Sequence, residues 1–305
     1  MIIQEKIKIK LIVDTTRKDE RDCFFLYAIR RLKDKIEIVE NEENADFVFC
    51  HRSDSSNNWF PPILNNQKKL VILDYTDFHY NSDYFDNYGY YFKRSCVIKN
   101  GFSQRLIDKM SQSNFYSLPY SIKYVDDKDV HEILDLSNIP KNIDITCFFP
   151  PNGFGGIRSQ VSSTVLNFCK RKNLRCHIGQ SGPDEISYNG RENFLKNYYE
   201  INRSSRIVVT SNHNNWEGDW RLYESLSVGT CVFVDKMLIP VKNPLIDGVH
   251  LVYYSSIEEL ENKLEYYINN PELIDEMTIK SKEFVYKYHT PINRINYILN
   301  TITKN

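Results

Sequence analysis

The sequence predicts an α/β protein built from two doubly wound domains in series, and three observations carry that prediction. Short apolar runs rich in Ile, Val and Phe alternate with helix-period stretches, the pattern of a parallel sheet with crossover helices. The alternation restarts at Ile143, after a stretch over 116–142 that reads as a connection. The length of 305 residues is long for one α/β domain and suits two of about 150 residues each.

In the first half, residues 6–13 form a strand with Asp14 at its carboxyl end. Residues 19–32 are helical, with Phe24, Phe25, Tyr27, Ala28 and Leu32 on roughly one face. Strands follow at 36–39, 47–50 and 70–73, the last ending at Asp74, then a strand at 90–98 and a helix at 103–110. The connection holds Pro119 and Pro140 and has room for a short helix at 130–134. Its Asp127-x-Asp129 has the form of a metal-binding DxD pair, but beside Asp126 and Lys128 it reads as a solvated charge run, and no metal site is expected.

The second half gives strands at 143–149, 174–178, 206–210, 231–234 and 249–253. Helices fall at 157–171, 191–201, 219–228, 257–268, 271–288 and 291–302. Ser255 and Ser256 supply an N-cap, Glu258 and Glu259 place carboxylates where the helix dipole favours them, and Pro271 and Pro291 suit first-turn positions. The resulting division is a first domain over 1–120, a linker over 121–142, a second domain over 143–288 and a terminal helix over 289–305.

Composition narrows the function classes. A net charge of −1 argues against a dedicated nucleic-acid binder. No apolar run reaches the roughly 18 residues of a membrane span. The opening MIIQEKIKIKLIVD is charged and strand-like, unlike a signal peptide, so a cytoplasmic location is expected. The 7 cysteines form no CxxC pair and mostly lie in apolar runs, where they read as small buried hydrophobes. The sequon at Asn202 carries no meaning without secretion. Oligomeric state leaves no trace in the sequence.

The densest chemistry lies between Arg206 and Asp235: an apolar strand, an Asn-rich loop with Glu217 and Asp219, a short helix bearing Arg221 and Glu224, then Gly229 and a second apolar strand. In open α/β sheets, ligands bind at the carboxyl ends of strands, near the start of the next helix. An Arg there can neutralise a phosphate, and a Glu can accept hydrogen bonds from a ribose diol. Arg221 near the positive end of its helix opposes the dipole, a local conflict expected where an anion binds; a surface salt bridge to Glu217 or Glu224 is the competing reading. Arg158 follows the Gly-rich turn at 153–156, which can approach phosphate oxygens closely. That turn lacks the spacing of a Walker loop or a dinucleotide fingerprint, and an ordinary βα loop is its alternative. Ser181 and Tyr188 can cradle a nucleobase or form a surface turn. His213 can donate to a sugar hydroxyl or phosphate, or face solvent; His289, beside Pro291, reads as part of a helix junction. In the first half, Asp14, His51, Asp74 and Asp77 end strands, as candidate bases toward a hydroxyl or as caps. The basic pair Lys93 and Arg94 either meets a diphosphate across a cleft or is solvated.

These motifs resemble a known family. Glu217-Gly218, then Glu224 through Val228 with Gly229 and Thr230, are similar to the donor-binding loop and helix of retaining GT-B glycosyltransferases, with one residue fewer between the two Glu. A closer resemblance is to the family-1-like branch (glycosyl transferases group 1) that includes the CgeB-type proteins. It rests on Arg221-Leu222-Tyr223-Glu224, Gly229, Asp235 and, later, His289-Thr290 with Arg294, and spans 143 to the C-terminus. The resemblance implies two Rossmann-like domains facing across a cleft, with the terminal helix packing back on the first. It implies a glycosyltransferase that moves a sugar from a nucleotide-diphosphate sugar to a glycan or other hydroxyl acceptor, with no metal or other cofactor. The donor set is then Arg158, Ser181, Tyr188, His213, Glu217, Arg221, Leu222 and Glu224. Asp14, His51 and Asp74 are the catalytic candidates on the acceptor side. The alternatives are a nucleotide-sugar-binding protein without turnover and a GT-B-type nucleotide-sugar epimerase.

Overall fold

The computed structural model describes residues 5–12, 20–52, 62–75, 89–94, 114–122, 124–125, 128–129, 136–149, 156–179, 191–212, 220–237 and 241–304. The chain divides into two compact units. One comprises Met1–Asp127, Leu238–Lys242 and Thr290–Asn305; the other comprises Lys128–Met237 and Asn243–His289.

In the first unit β1 (Ile7–Ile12) is followed by α1 (Glu20–Arg31), β2 (Ile36–Ile38), β3 (Phe47–Arg52), β4 (Leu70–Asp74), β5 (Tyr90–Lys93) and β6 (Phe115–Ser117). The six strands form a parallel sheet in the order β2-β1-β3-β4-β5-β6, so the order reverses between β1 and β3. Val48 pairs with Leu70 and Cys50 with Ile72, and these four side chains join Ala45, Leu64, Tyr91 and Phe115 in one core cluster. The alternate residues Phe49, Val71, Leu73 and Phe92 are buried too. Burial on both faces is why these strands read as continuous apolar runs.

Two elements differ from the expectation. Strand β3 runs on to Arg52, so His51 lies within it. Tyr116 and Ser117, read as the start of a connection, belong with Phe115 to a sixth strand, with Tyr91 opposite Phe115. Three residues are too few to display a period in sequence, and only pairing with β5 makes them a strand. The helices expected at 103–110 and 130–134 lie outside the described residues.

Two short strands, β7 (Tyr124–Val125) and β8 (Lys128–Asp129), precede the second sheet. The second unit then runs β9 (Ile143–Cys147), α2 (Gly156–Lys172), β10 (Cys176–Ile178), α3 (Arg191–Ser204), β11 (Ser205–Val209), α4 (Trp220–Ser227), β12 (Cys231–Asp235), β13 (Val252–Tyr254), α5 (Ile257–Asn269) and α6 (Pro271–Tyr288). Its parallel sheet has the order β10-β9-β11-β12-β13, reversing between β9 and β11. The two-residue period sorts the strands onto two faces. Ile145, Cys147, Phe149, Ile207 and Val209 pack with α2, α5 and α6, whereas Phe148 and Val208 pack with Tyr198 and Tyr199 of α3. Strand β13 starts at Val252, later than expected, because a turn uses the preceding residues: Gly248 at φ +72° donates its N–H to Leu251 O at 2.8 Å.

Local chemistry sets the helix ends. Gly229 takes φ +74° and lets Thr230 N–H reach Ser225 O at 3.1 Å, closing α4 before β12 begins. Ser256 caps α5 through Glu259 N–H at 3.0 Å. Lys141 is a strut, its Nζ donating to Ser205 O and Gly229 O, both at 2.7 Å, and to Thr230 Oγ1 at 3.1 Å. Asn202 of the sequon is buried and donates to Ser225 Oγ at 3.0 Å. The last helix, α7 (Pro291–Ile302), opens on a capping box between Thr290 and Asn293. It belongs to the first unit, where Arg294 donates to Tyr120 O at 2.6 Å and Tyr297 meets Phe92 edge-on.

Candidate active site

A doubly wound sheet opens a crevice where its strand order reverses. In the second unit that point lies between β9 and β11, and the segments leaving these strands lead to α2 and α4. Arg158 is in the first turn of α2 and Arg221 in the first turn of α4. Both are half-buried, and both place their guanidinium against the ring of Phe149, just past the end of β9, with Cζ at 4.8 Å from the centroid for Arg158 and 4.9 Å for Arg221. Phe149 itself is fully buried. The Nε of Arg158 donates to Ser211 O at 3.2 Å, which ties α2 to the end of β11.

The rest of the crevice is firmly bonded. Asn212 donates its backbone N–H to Asp235 Oδ1 at 2.6 Å and its side-chain amide to Asp235 O at 3.1 Å, locking the exits of β11 and β12 together. Tyr254 donates its hydroxyl to Thr210 O at 2.7 Å, and burial, then the nearby Asp235 carboxylate, raises its pKa well above the ordinary value. The Oγ1 of Thr210 and the Oδ1 of Asn212 are buried with no hydrogen-bond partner among the described residues. Burial pushes the Cys147 thiol up to about 12, while the charges of Arg221 and Arg158 pull the other way, which marks both cations as near this strand end. On α4, Glu224 is buried, one turn beyond Arg221, and Leu222 is part of the apolar core. His177 on β10 lies beside Phe148, its pKa lowered by burial.

In the first unit the corresponding point lies between β1 and β3. His51, near the end of β3, is buried against Tyr75, which stacks on Tyr120 with centroids 5.7 Å apart. Asp74 at the end of β4 is 1% exposed; one carboxylate oxygen accepts from Lys93 Nζ at 3.0 Å and the other from the Tyr91 hydroxyl. Arg94 lies over the Tyr120 ring at 4.6 Å. Lys93 and Arg94 are buried, at 1% and 2% exposure, so the solvated reading of this pair is corrected: Lys93 ends β5 opposite Asp74 and is held by its carboxylate, and Arg94, just past the strand, packs on Tyr120.

Asp14, Asp77, Ser181, Tyr188, His213, Glu217 and the Gly-rich turn at 153–155 lie outside the described residues. The remaining donor candidates, Arg158, Arg221, Leu222 and Glu224, all belong to the second unit, and the structure brings the two arginines to one ring. Sequence reading missed Phe149, because an apolar residue at a strand end reads as core. It also passed over the Asn212–Asp235 tie, for which the Asp at the end of an apolar strand was the one signal. His289 is buried between Tyr223 and Phe284, with Nε2 3.0 Å from Asn243 O, a packed helix junction.

Two parallel doubly wound sheets with a cationic crevice at the second switch point define a class, the GT-B fold of glycosyltransferases. Residues 162–300 match the model of the glycosyl transferase-like family. Solved structures agree in fold. A glycosyltransferase from Rickettsia africae superposes with a TM-score of 0.59 at 10% identity, over 99% of each chain. An alpha-glucosyltransferase solved with UDP-glucose and DNA containing an abasic site gives 0.55 at 11% identity, over 98% of this chain and 99% of the other. HepE of Anabaena, solved with UDP, gives 0.51 at 9% identity, over 99% of this chain and 100% of the other. No curated protein sequence matches the chain. Among the described residues no helix is long and apolar enough to cross a membrane, and no three His, Cys, Asp or Glu side chains gather as a metal site would require.

Proposed function

We propose that this protein transfers a sugar from a nucleotide-diphosphate sugar to a glycan or other hydroxyl acceptor, within the CgeB-type branch that its Arg221-to-Glu224 motif resembles. The observation that supports this most is the pair of guanidiniums held on one buried ring at the second switch point, one turn before a buried Glu on the same helix as Arg221. Two fixed cations beside helix N-termini suit a diphosphate, and they stabilise it most as it departs and gains charge. Arg158 and Arg221 therefore serve the leaving group without a metal, and Glu224 accepts from the ribose hydroxyls. Leu222, fully buried in the apolar core, anchors the helix that carries Arg221 and Glu224. Ser181, Tyr188, His213 and Glu217 stay as candidates for the base and the sugar.

On the acceptor side Asp14 and His51 are the candidate bases. The Asp74 carboxylate, engaged by Lys93 and Tyr91, fits a positioning group better than a free base. The near-neutral charge favours an acceptor other than nucleic acid, and we place the reaction in the cytoplasm.

Incubation with UDP-, GDP- and ADP-sugars tests the reading, with UDP-sugars first because HepE and the alpha-glucosyltransferase were solved with UDP and UDP-glucose. Slow donor hydrolysis, or transfer to an added acceptor, is the expected result. Thermal stabilisation by a donor without turnover would instead make the protein a binder, and interconversion of donor sugars would make it an epimerase.

A further inference from the structure

We propose that Phe149 is a positioning residue: its ring sets the separation and tilt of Arg158 and Arg221, and so determines how tightly the site grips the diphosphate of its nucleotide ligand. The inference rests on the donor reading above and adds a group that never touches the ligand. Arg158 and Arg221 come from different helices, α2 and α4, and the structure gives them a shared contact in this ring. Both Cζ atoms lie inside the roughly 6 Å over which an aromatic face attracts a cation. They are therefore no farther apart than the sum of the two centroid distances.

The ring is suited to be a fixed plate. Phe149 is 0% exposed and belongs to the core cluster that includes Val161, Val165 and Phe168 of α2. Close packing holds its orientation, because neighbours at crystal-like density leave no room for another rotamer. Two like charges brought to one place repel, and the negative face of the ring offsets part of that repulsion while no anion is bound. Removing the face while keeping the volume loosens the orientation that the ring gives each guanidinium, and part of the ordering cost then falls on diphosphate binding.

The test is calorimetric titration of the full chain with UDP, GDP and ADP and with uridine, guanosine and adenosine. The diphosphate that the wild type binds best is carried forward with its nucleoside. Phe149→Leu is expected to lower the ratio of diphosphate to nucleoside affinity by about tenfold, while Phe149→Tyr, which keeps the ring face, retains the ratio within about twofold. In an Arg221→Ala background, Phe149→Leu is expected to cost less, about threefold, because only Arg158 is left for the ring to hold. Should Phe149→Leu unfold, Phe149→Met takes its place under the same criterion. An unchanged ratio, an equal loss for nucleoside and diphosphate, or a full loss persisting without Arg221 overturns the proposal. A wild type that binds none of the three diphosphates overturns the donor reading and this inference with it.

Discussion

The two sheets reverse strand order in the same place, between β1 and β3 in the first unit and between β9 and β11 in the second, yet their carboxyl ends carry different chemistry. In the first, the charge at the end of β4 is answered within the sheet, Asp74 being held by Lys93 and Tyr91 with all three side chains buried. In the second, the cations come from the helices that follow the strands, and their guanidiniums rest half-buried on an aromatic face. A buried pair neutralised by its neighbour on the next strand specifies a structure. Cations gathered on a ring at helix N-termini are what the proposed diphosphate site would use. Equal topology thus carries unequal chemistry, and the difference lies in whether a charge is met by a strand neighbour or rests on an aromatic ring at the start of a helix.

The sharpest way to break this comparison is Lys93→Met. If the first unit relies on its internal pair, stranding the Asp74 carboxylate in the core costs about 3–5 kcal/mol, measured by urea unfolding, and Asp74→Leu added to Lys93→Met recovers most of that loss. A cost under about 1 kcal/mol would show that the pair is solvated after all. Next in size, Arg221→Ala is expected to lower kcat/KM for the donor by about 10- to 100-fold, the worth of a hydrogen bond to a charged group, with the unfolding midpoint little changed. Full activity in that variant removes Arg221 from the mechanism. Glu224→Gln should weaken donor binding about tenfold, and a donor lacking its ribose 2′-hydroxyl should lose little more in that variant; additive losses would place the ribose elsewhere.

The smallest effect concerns Lys141, whose pKa burial lowers from 10.5 to about 7. Because the folded value lies below the unfolded one, the unfolded chain binds more protons between these two pH values, so stability rises with pH across that window and is flat below it. The two carbonyls and the hydroxyl around Nζ favour the ammonium and oppose part of the shift. The wild type should therefore gain on the order of 1 kcal/mol over Lys141→Met between pH 7 and pH 10, read from denaturation at both values. A pH-independent difference would mean that the amine keeps its ordinary affinity for protons.

The sequence by itself determined the fold class and most of its elements. Burial on both faces of a parallel sheet requires long apolar runs, and caps such as Ser256, Thr290 and Gly229 are chosen by backbone geometry that only a few side chains satisfy. Arg221 stood out because a cation near the positive end of its helix opposes the dipole, and Arg158 because it follows a Gly-rich turn that can approach phosphate oxygens. What the sequence could not express was long-range pairing: the strand at Phe115–Ser117, the burial of Lys93 and Arg94, the tie from Asn212 to Asp235, and Phe149 beneath two arginines. Each depends on which segments the sheet brings side by side, and a one-dimensional pattern records the period of a segment but not its neighbour. The tertiary structure decided that an ordinary apolar residue at the end of β9 would become the surface on which the site's charges are arranged.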